Sequence, residues 1–168
     1  IGEILRFLLD ISFTLIGAVL LARAWLQAVK LHPFNPISQA VNQVTNWLVT
    51  PLRRVVPTSG GIDWASLLGA LLVAIVYLIL LWFVSTASML PINLIPGVIG
   101  AGIATVGRWA LNLIIWLTLI QAVLSWVNPM ATVMPVLRTL TAPLLESIRR
   151  IMPRLGGLDL SPLVLLIL

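Results

Sequence analysis

Of the chain's 168 residues, 60% are hydrophobic and 9% charged, with a net charge of +5 and a mean hydropathy of +1.11; that balance excludes an ordinary soluble domain. Cysteine is absent and His32 is the single histidine, which excludes disulfides, thiolate catalysis and any multi-cysteine or multi-histidine metal site built from one chain. The ten basic residues come with no nucleic-acid reader motif, so the expected counter-charge is an anionic membrane surface rather than nucleic acid, and no cofactor is expected.

Residues 4 to 29 are an apolar stretch longer than the roughly 20 residues that span a bilayer, and form the first predicted transmembrane helix. Arg6 and Asp10 lie one turn apart near its start, a spacing that predicts an intrahelical ion pair. Arg23 lies inside the span. Its side chain either snorkels to the head groups or makes an interhelical polar contact. Trp25 and Lys30 mark the far end. Ala22-Arg23-Ala24 resembles a signal-peptide cleavage site only superficially, because the apolar run is too long and the tripeptide carries a charge.

His32-Pro33-Phe34-Asn35-Pro36 stops the helix and turns the chain. Ile37, Val41, Val44, Leu48, Leu52 and Val55 then recur at spacings of three and four, with Ser38, Gln39, Asn42, Gln43, Asn46, Thr50 and Arg53 opposite. That pattern predicts a helix lying in the membrane interface, with Trp47 at head-group depth and Pro51 kinking or dividing it. After Gly60-Gly61, Asp63 directly precedes a second span, residues 64 to 86. It is placed to cap that span, to pair with Arg53 and Arg54, or to do both.

Residues 87 to 107 contain no ionisable side chain and are rich in Pro and Gly, which predicts a turn followed by an interfacial or re-entrant segment. Gly100-Ala101-Gly102 lacks the preceding strand and following Lys-Ser/Thr of a phosphate loop. Thr105-Val106-Gly107 echoes a potassium filter, but Arg108 follows where the filter has an aromatic residue, and close helix contact explains the small residues better. Residues 108 to 127 read as a third span, ending at the interfacial Trp126.

The loop chemistry then repeats. Thr50-Pro51-Leu52, Arg53-Arg54-Val55-Val56-Pro57 and Gly60-Gly61-Ile62-Asp63 return as Ala142-Pro143-Leu144, Arg149-Arg150-Ile151-Met152-Pro153 and Gly156-Gly157-Leu158-Asp159. The second copy has Leu145 to Ile148 in addition, about one helical turn. Val133, Leu137, Leu140, Leu144, Ile148 and Met152 form its apolar stripe, with Arg138, Thr141, Glu146 and Arg149 outside it. Asp159 stands before Ser161-Pro162 as Asp63 stands before Trp64, and a fourth span starts there. Both ends of the chain read as incomplete.

These patterns predict an all-α integral membrane fold of four transmembrane helices, the fourth truncated. It consists of two parallel repeats, each transmembrane helix, amphipathic interfacial loop, transmembrane helix. Residues 1–86 form the first repeat, 87–107 the linker and 108–168 the second repeat. Seven of the ten Lys and Arg residues (Lys30, Arg53, Arg54, Arg138, Arg149, Arg150, Arg154) lie in the two loops and none in the linker. The positive-inside rule therefore puts the loops in the cytoplasm and the linker outside.

Arg23-Ala24-Trp25, Asn35-Pro36, Pro51-Leu52-Arg53-Arg54-Val55-Val56-Pro57 and Gly61-Ile62-Asp63 in the first half resemble the YggT (YlmG) family. So do Ser125-Trp126, Pro143-Leu144, Arg149-Arg150-Ile151-Met152-Pro153 and Gly156-Gly157-Leu158-Asp159-Leu160-Ser161-Pro162 in the second. The resemblance spans essentially the whole chain; the shorter first loop departs from exact repetition, so the two loops need not act identically. It implies a bacterial inner-membrane protein related to plastid proteins of cytochrome b6 haem maturation and nucleoid organisation. It also implies a link to osmotic stress, potassium homeostasis and the division-gene neighbourhood, and it brings no catalytic residue.

The function expected is a non-enzymatic scaffold, assembly factor or accessory subunit of a membrane complex; the alternative is a small oligomeric channel or transport subunit. Candidate lipid- or partner-binding residues are Arg53, Arg54, Arg138, Arg149, Arg150, Arg154, Asp63 and Asp159, with Trp25, Trp47 and Trp126 as interfacial anchors. Expected partners are anionic phospholipids and other membrane proteins or further copies of the chain.

Overall fold

A computed structural model describes residues 2–149 and 167. Its named elements are helical: α1 (Gly2–Ala28), α2 (Pro36–Val55), α3 (Trp64–Thr86), α4 (Ile95–Val127) and α5 (Met134–Arg149), with a 3-10 turn at Ile92–Leu94 before α4. Three helical segments, Gly2–Ala28, Trp64–Thr86 and Ile92–Val127, are long and apolar enough to cross a membrane. The fourth span expected from residue 161 lies outside the described residues.

Local chemistry sets the boundaries. At the end of α1, Lys30 takes a left-handed φ of 55°, and its N–H and that of Leu31 bond the carbonyls of Gln27 and Leu26, a helix stop before Pro33. Asn35 caps α2 by accepting from the Ile37 N–H at 3.0 Å, and Pro36 supplies the preset φ of the first turn. Pro51 neither ends nor divides α2, which runs unbroken to Val55. A proline ring removes a single ladder bond, and Val49, buried on one side of it, and Leu52, half-buried on the other, hold both flanks in place. Gly60 and Gly61, at φ of 66° and 80°, make the turn that delivers Asp63 to the head of α3.

The expected break between linker and third span is absent. Residues 95 to 107 are continuous with 108 to 127 in a single helix of 33 residues. Pro96 is tolerated in its opening turn. Gly102 is buried where an added Cβ would meet Ile75 at 3.2 Å and Leu71 at 3.4 Å, so a glycine lets α4 approach α3 closely.

The chain divides into two compact units, Ile1–Ala110 and Leu111–Leu168. In the first, α1 and α3 run antiparallel, since Asp10 meets Tyr77 while Arg23 meets Asp63. Their shared core is Leu20, Leu21 and Ala24 of α1 with Ala65, Ala70, Val73 and Ala74 of α3. Gly17 admits the buried Trp109, whose Cε3 would lie 2.1 Å from any Cβ at that position. Among the described residues of the second unit, the buried side chains are Thr118 and Gln121 with Met134, Val136, Leu137, Leu140, Thr141 and Leu145 of α5.

Both surface helices bury hydroxyls that lie off their apolar stripes, and only α2 leaves much of its stripe exposed. In α2 the buried residues are Ser38, Thr45 and Val49, while Val44, Trp47 and Val55 are 61%, 68% and 80% exposed. In α5 the stripe residues Leu137 and Leu140 are buried, and Thr141, expected outside, is buried beside them at 1% exposure. Thr45 meets Arg23 and Thr141 meets Gln121, each a polar group on a neighbouring helix that is satisfied by a hydroxyl opposite it.

Candidate functional site

The polar chemistry of the first unit converges where α1, α2 and α3 meet. Asp63 is fully buried, Arg23 is 5% exposed, and Arg53 reaches them from the last turn of α2. A buried carboxylate is stable only if its lone pairs are filled, and here they are. Oδ1 accepts from the Ser66 N–H at 3.3 Å, the N-cap bond. Oδ2 accepts from Ser66 Oγ at 2.7 Å and from Arg53 Nη2 at 2.8 Å, with Arg23 Nε 3.5 Å away. Capping and pairing therefore occur together at Asp63.

Arg23 makes the interhelical contact rather than snorkelling. Its Nη1 donates to Thr45 Oγ1 at 2.7 Å and to Asn46 Oδ1 at 3.0 Å, with the Asn42 carbonyl at 3.4 Å. Thr45, in turn, donates to the Val41 carbonyl at 2.7 Å. Arg53 completes the circuit by donating to Gln27 Oε1 at 3.2 Å. Two arginines and one carboxylate thus join a transmembrane helix, a surface helix and the cap of a second transmembrane helix. Burial opposes ionisation of Asp63, but the hydrogen bonds from Ser66 and Arg53 and the Arg53 charge outweigh it, holding the carboxyl below its ordinary range.

A second polar contact lies about 21 Å further along α3, 14 residues from Asp63 at 1.5 Å each. The Tyr77 hydroxyl donates to Asp10 Oδ1 at 2.8 Å, and its ring packs between Phe13 and Trp109. Asp10 is therefore paired across helices, and the expected bond to Arg6 is not formed: among the described residues the ion pairs are Arg23–Asp63 and Arg53–Asp63.

Of the expected site residues, Asp63 and Arg53 meet directly. Arg54 is exposed at the end of α2 and Arg138 is exposed on α5. Arg149 closes α5; Arg150, Arg154 and Asp159 lie outside the described residues. Trp47 and Trp126 are 68% and 60% exposed, and Trp25 is half-buried. Thr45, Asn46, Gln27 and Ser66 belong to the network although their sequence pattern did not single them out. The spacing of Arg23 and Gln27, one turn apart in a stretch of α1 (11–28) with no other charged residue, is the signal that could have pointed to polar partners on α2.

A chain with this apolar helical architecture and this polar junction matches the family model CCB3/YggT over residues 2–84 and 100–168. The chain belongs to the CCB3/YggT family. It is 41% identical over 165 residues to the uncharacterized protein YggT of Escherichia coli K12, covering 98% of this chain and 84% of that protein. It is also 36% identical over 165 residues to an uncharacterized protein encoded in the proC 3' region of Vibrio alginolyticus, covering 97% and 88%. An uncharacterized protein of Haemophilus influenzae is 32% identical over 149 residues, covering 88% and 77%. No solved structure matches. The junction Arg23–Asp63–Arg53 thus joins motif residues of a CCB3/YggT chain and ties three of its helices together.

Proposed function

We propose that this CCB3/YggT chain is a non-enzymatic scaffold or accessory subunit of a larger complex in the bacterial inner membrane, with four spans in two parallel repeats and the Arg-Arg loops facing the cytoplasm. The observation that carries the reading is the use to which the charged motif is put. Asp63, Arg23 and Arg53 are consumed in locking α2 against α1 and α3, while the outer face of the same region, Phe34 at 77% and Val55 at 80% exposure, is left open. A buried ionic junction contributes little net stability compared with apolar packing but fixes one geometry. A surface held in one geometry loses less entropy on docking. Osmotic-stress and potassium phenotypes would then arise through the partner.

The test is site-specific photocrosslinking in intact membranes from positions 34 and 55. One recurrent heterologous protein, lost in Asp63→Asn, is the expected result. Adducts solely between copies of the chain, as a closed ring would give, overturn the scaffold reading.

A further inference from the structure

Beside the junction, α1 and α2 flank a half-open apolar groove of about 150 Å³, walled by Leu15, Val19, Leu20, Val44, Trp47 and Leu48, with Leu15, Val44 and Trp47 exposed along it. The single hydroxyl on its wall belongs to Thr45. That hydroxyl is already occupied, donating to the Val41 carbonyl and accepting from Arg23. The groove therefore offers a water almost no hydrogen-bond partner, and offers an apolar guest a nearly all-apolar wall. In a chain whose α1 crosses a bilayer, the abundant apolar guest is an acyl chain.

The groove has a charged neighbour. Arg54 follows Trp47 by seven residues, two helical turns, so the two share a face of α2 about 10 Å apart. Arg53 is drawn to Asp63 and Gln27, whereas Arg54 is exposed and has no counter-ion within ion-pair distance among the described residues. An exposed guanidinium at the end of an interfacial helix is a fork matched to a phosphate. We propose that this groove and Arg54 form a site for one acidic phospholipid, with an acyl chain between α1 and α2 and the phosphate on Arg54. The site does not depend on the scaffold reading: it uses Val44, Trp47 and Arg54, and the partner crosslinks are read from positions 34 and 55.

The full chain, reconstituted in phosphatidylcholine vesicles, tests this with small fractions of lipid brominated on the acyl chain, which quenches nearby tryptophan. The Trp47 signal is isolated as the difference between wild type and Trp47→Phe. Brominated phosphatidylglycerol should quench it about fivefold more effectively than brominated phosphatidylcholine, the preference expected from one arginine beside an anionic head group. Arg54→Gln, an exposed change whose fold is checked by circular dichroism, should remove that preference. Arg54→Lys should retain part of it. Val44→Phe, which fills the groove, should reduce quenching by both lipids. Equal quenching by the two lipids in the wild type, a preference that survives Arg54→Gln, or quenching unaffected by Val44→Phe would each overturn the site.

Discussion

Replacing Asp63 with asparagine separates the two roles of that residue. Asn keeps an oxygen to accept from the Ser66 N–H, so the helix cap is nearly preserved and its loss amounts to a few tenths of a kcal/mol at most. What disappears is the negative charge beside Arg23, whose side chain is 6% exposed. Removing one partner of a buried pair costs about 3–5 kcal/mol because the other charge stays buried and uncompensated. The lower end applies here. Arg23 keeps Thr45 and Asn46 as neutral acceptors, and Arg53, at 40% side-chain exposure, can rehydrate. A loss of about 3 kcal/mol corresponds to a melting temperature lower by roughly 6–12 °C for a chain of this size, read by thermal unfolding of the purified protein in detergent. The double variant Arg23→Gln/Asp63→Asn leaves no buried charge and should be more stable than Asp63→Asn alone. If Asp63→Asn lowers the melting temperature by only a degree or so, or if the double variant loses the sum of its parts, the buried ionic junction is not what holds α2 in place.

The pH dependence has a definite sign. Because the folded-state pKa of Asp63 is depressed, its contribution is fully present above the unfolded value of about 4 and is lost as pH falls through the lower folded value; thermal stability should be insensitive to this group from pH 5 to 8 and fall in acid, with a shallower fall in Asp63→Asn. Gly17→Ala should destabilise by about 1–3 kcal/mol through overpacking against Trp109, and Trp109→Leu in the same chain should recover part of the melting temperature. Tyr77→Phe removes the hydroxyl that bonds Asp10 and should cost roughly 0.6–1.7 kcal/mol in the same assay. Single cysteines at Ser59 and Ser88 in this cysteine-free chain should be protected and labelled, respectively, by an impermeant reagent added outside intact cells; labelling at Ser59 alone would reverse the orientation.

Much of the helix plan was legible because it rests on short-range chemistry. Apolar length gives the spans, Asn35-Pro36 starts α2, and Gly60-Gly61-Ile62-Asp63 turns the chain into α3. What the pattern did not reveal was which side of an amphipathic helix faces the protein. Periodicity ranks faces by hydrophobicity and assumes that the apolar side packs, but in a membrane the apolar side can face lipid while a polar side satisfies a buried arginine. Thr45 and Asn46 are such a side, set over Arg23. The same reasoning explains Asp10. The one-turn spacing to Arg6 is a local signal, whereas Tyr77 is 67 residues away in sequence and meets Asp10 only through helix packing. Continuity of α4 through its glycines was hidden for a related reason, since glycine counts against a helix in water but permits close helix approach in lipid.

The two surface helices answer one structural problem with different chemistry. Each must be held beside a membrane-spanning segment, and each has a buried threonine on its inner face, Thr45 in α2 and Thr141 in α5. In the first copy the threonine's partner is the charged Arg23, which in turn requires Asp63. In the second its partner is the neutral Gln121 amide, and the sequence between Arg108 and Arg138 contains no charged residue. A neutral amide–hydroxyl bond costs far less to bury than an ion pair and loses less when broken, about 1–3 kcal/mol for an orphaned neutral group against 3–5 kcal/mol for a buried charge stripped of its partner. The first surface helix is therefore held in an all-or-none manner and the second is held by graded contacts. On that account Gln121→Leu/Thr141→Val, which removes both polar partners while keeping the volume nearly constant, should be close to neutral in melting temperature. The matching removal of a single partner, Gln121→Leu, should cost more than the pair. The reverse order would mean that the Gln121–Thr141 bond is not what sets the cost of losing Gln121, and the graded account of the second helix would fail.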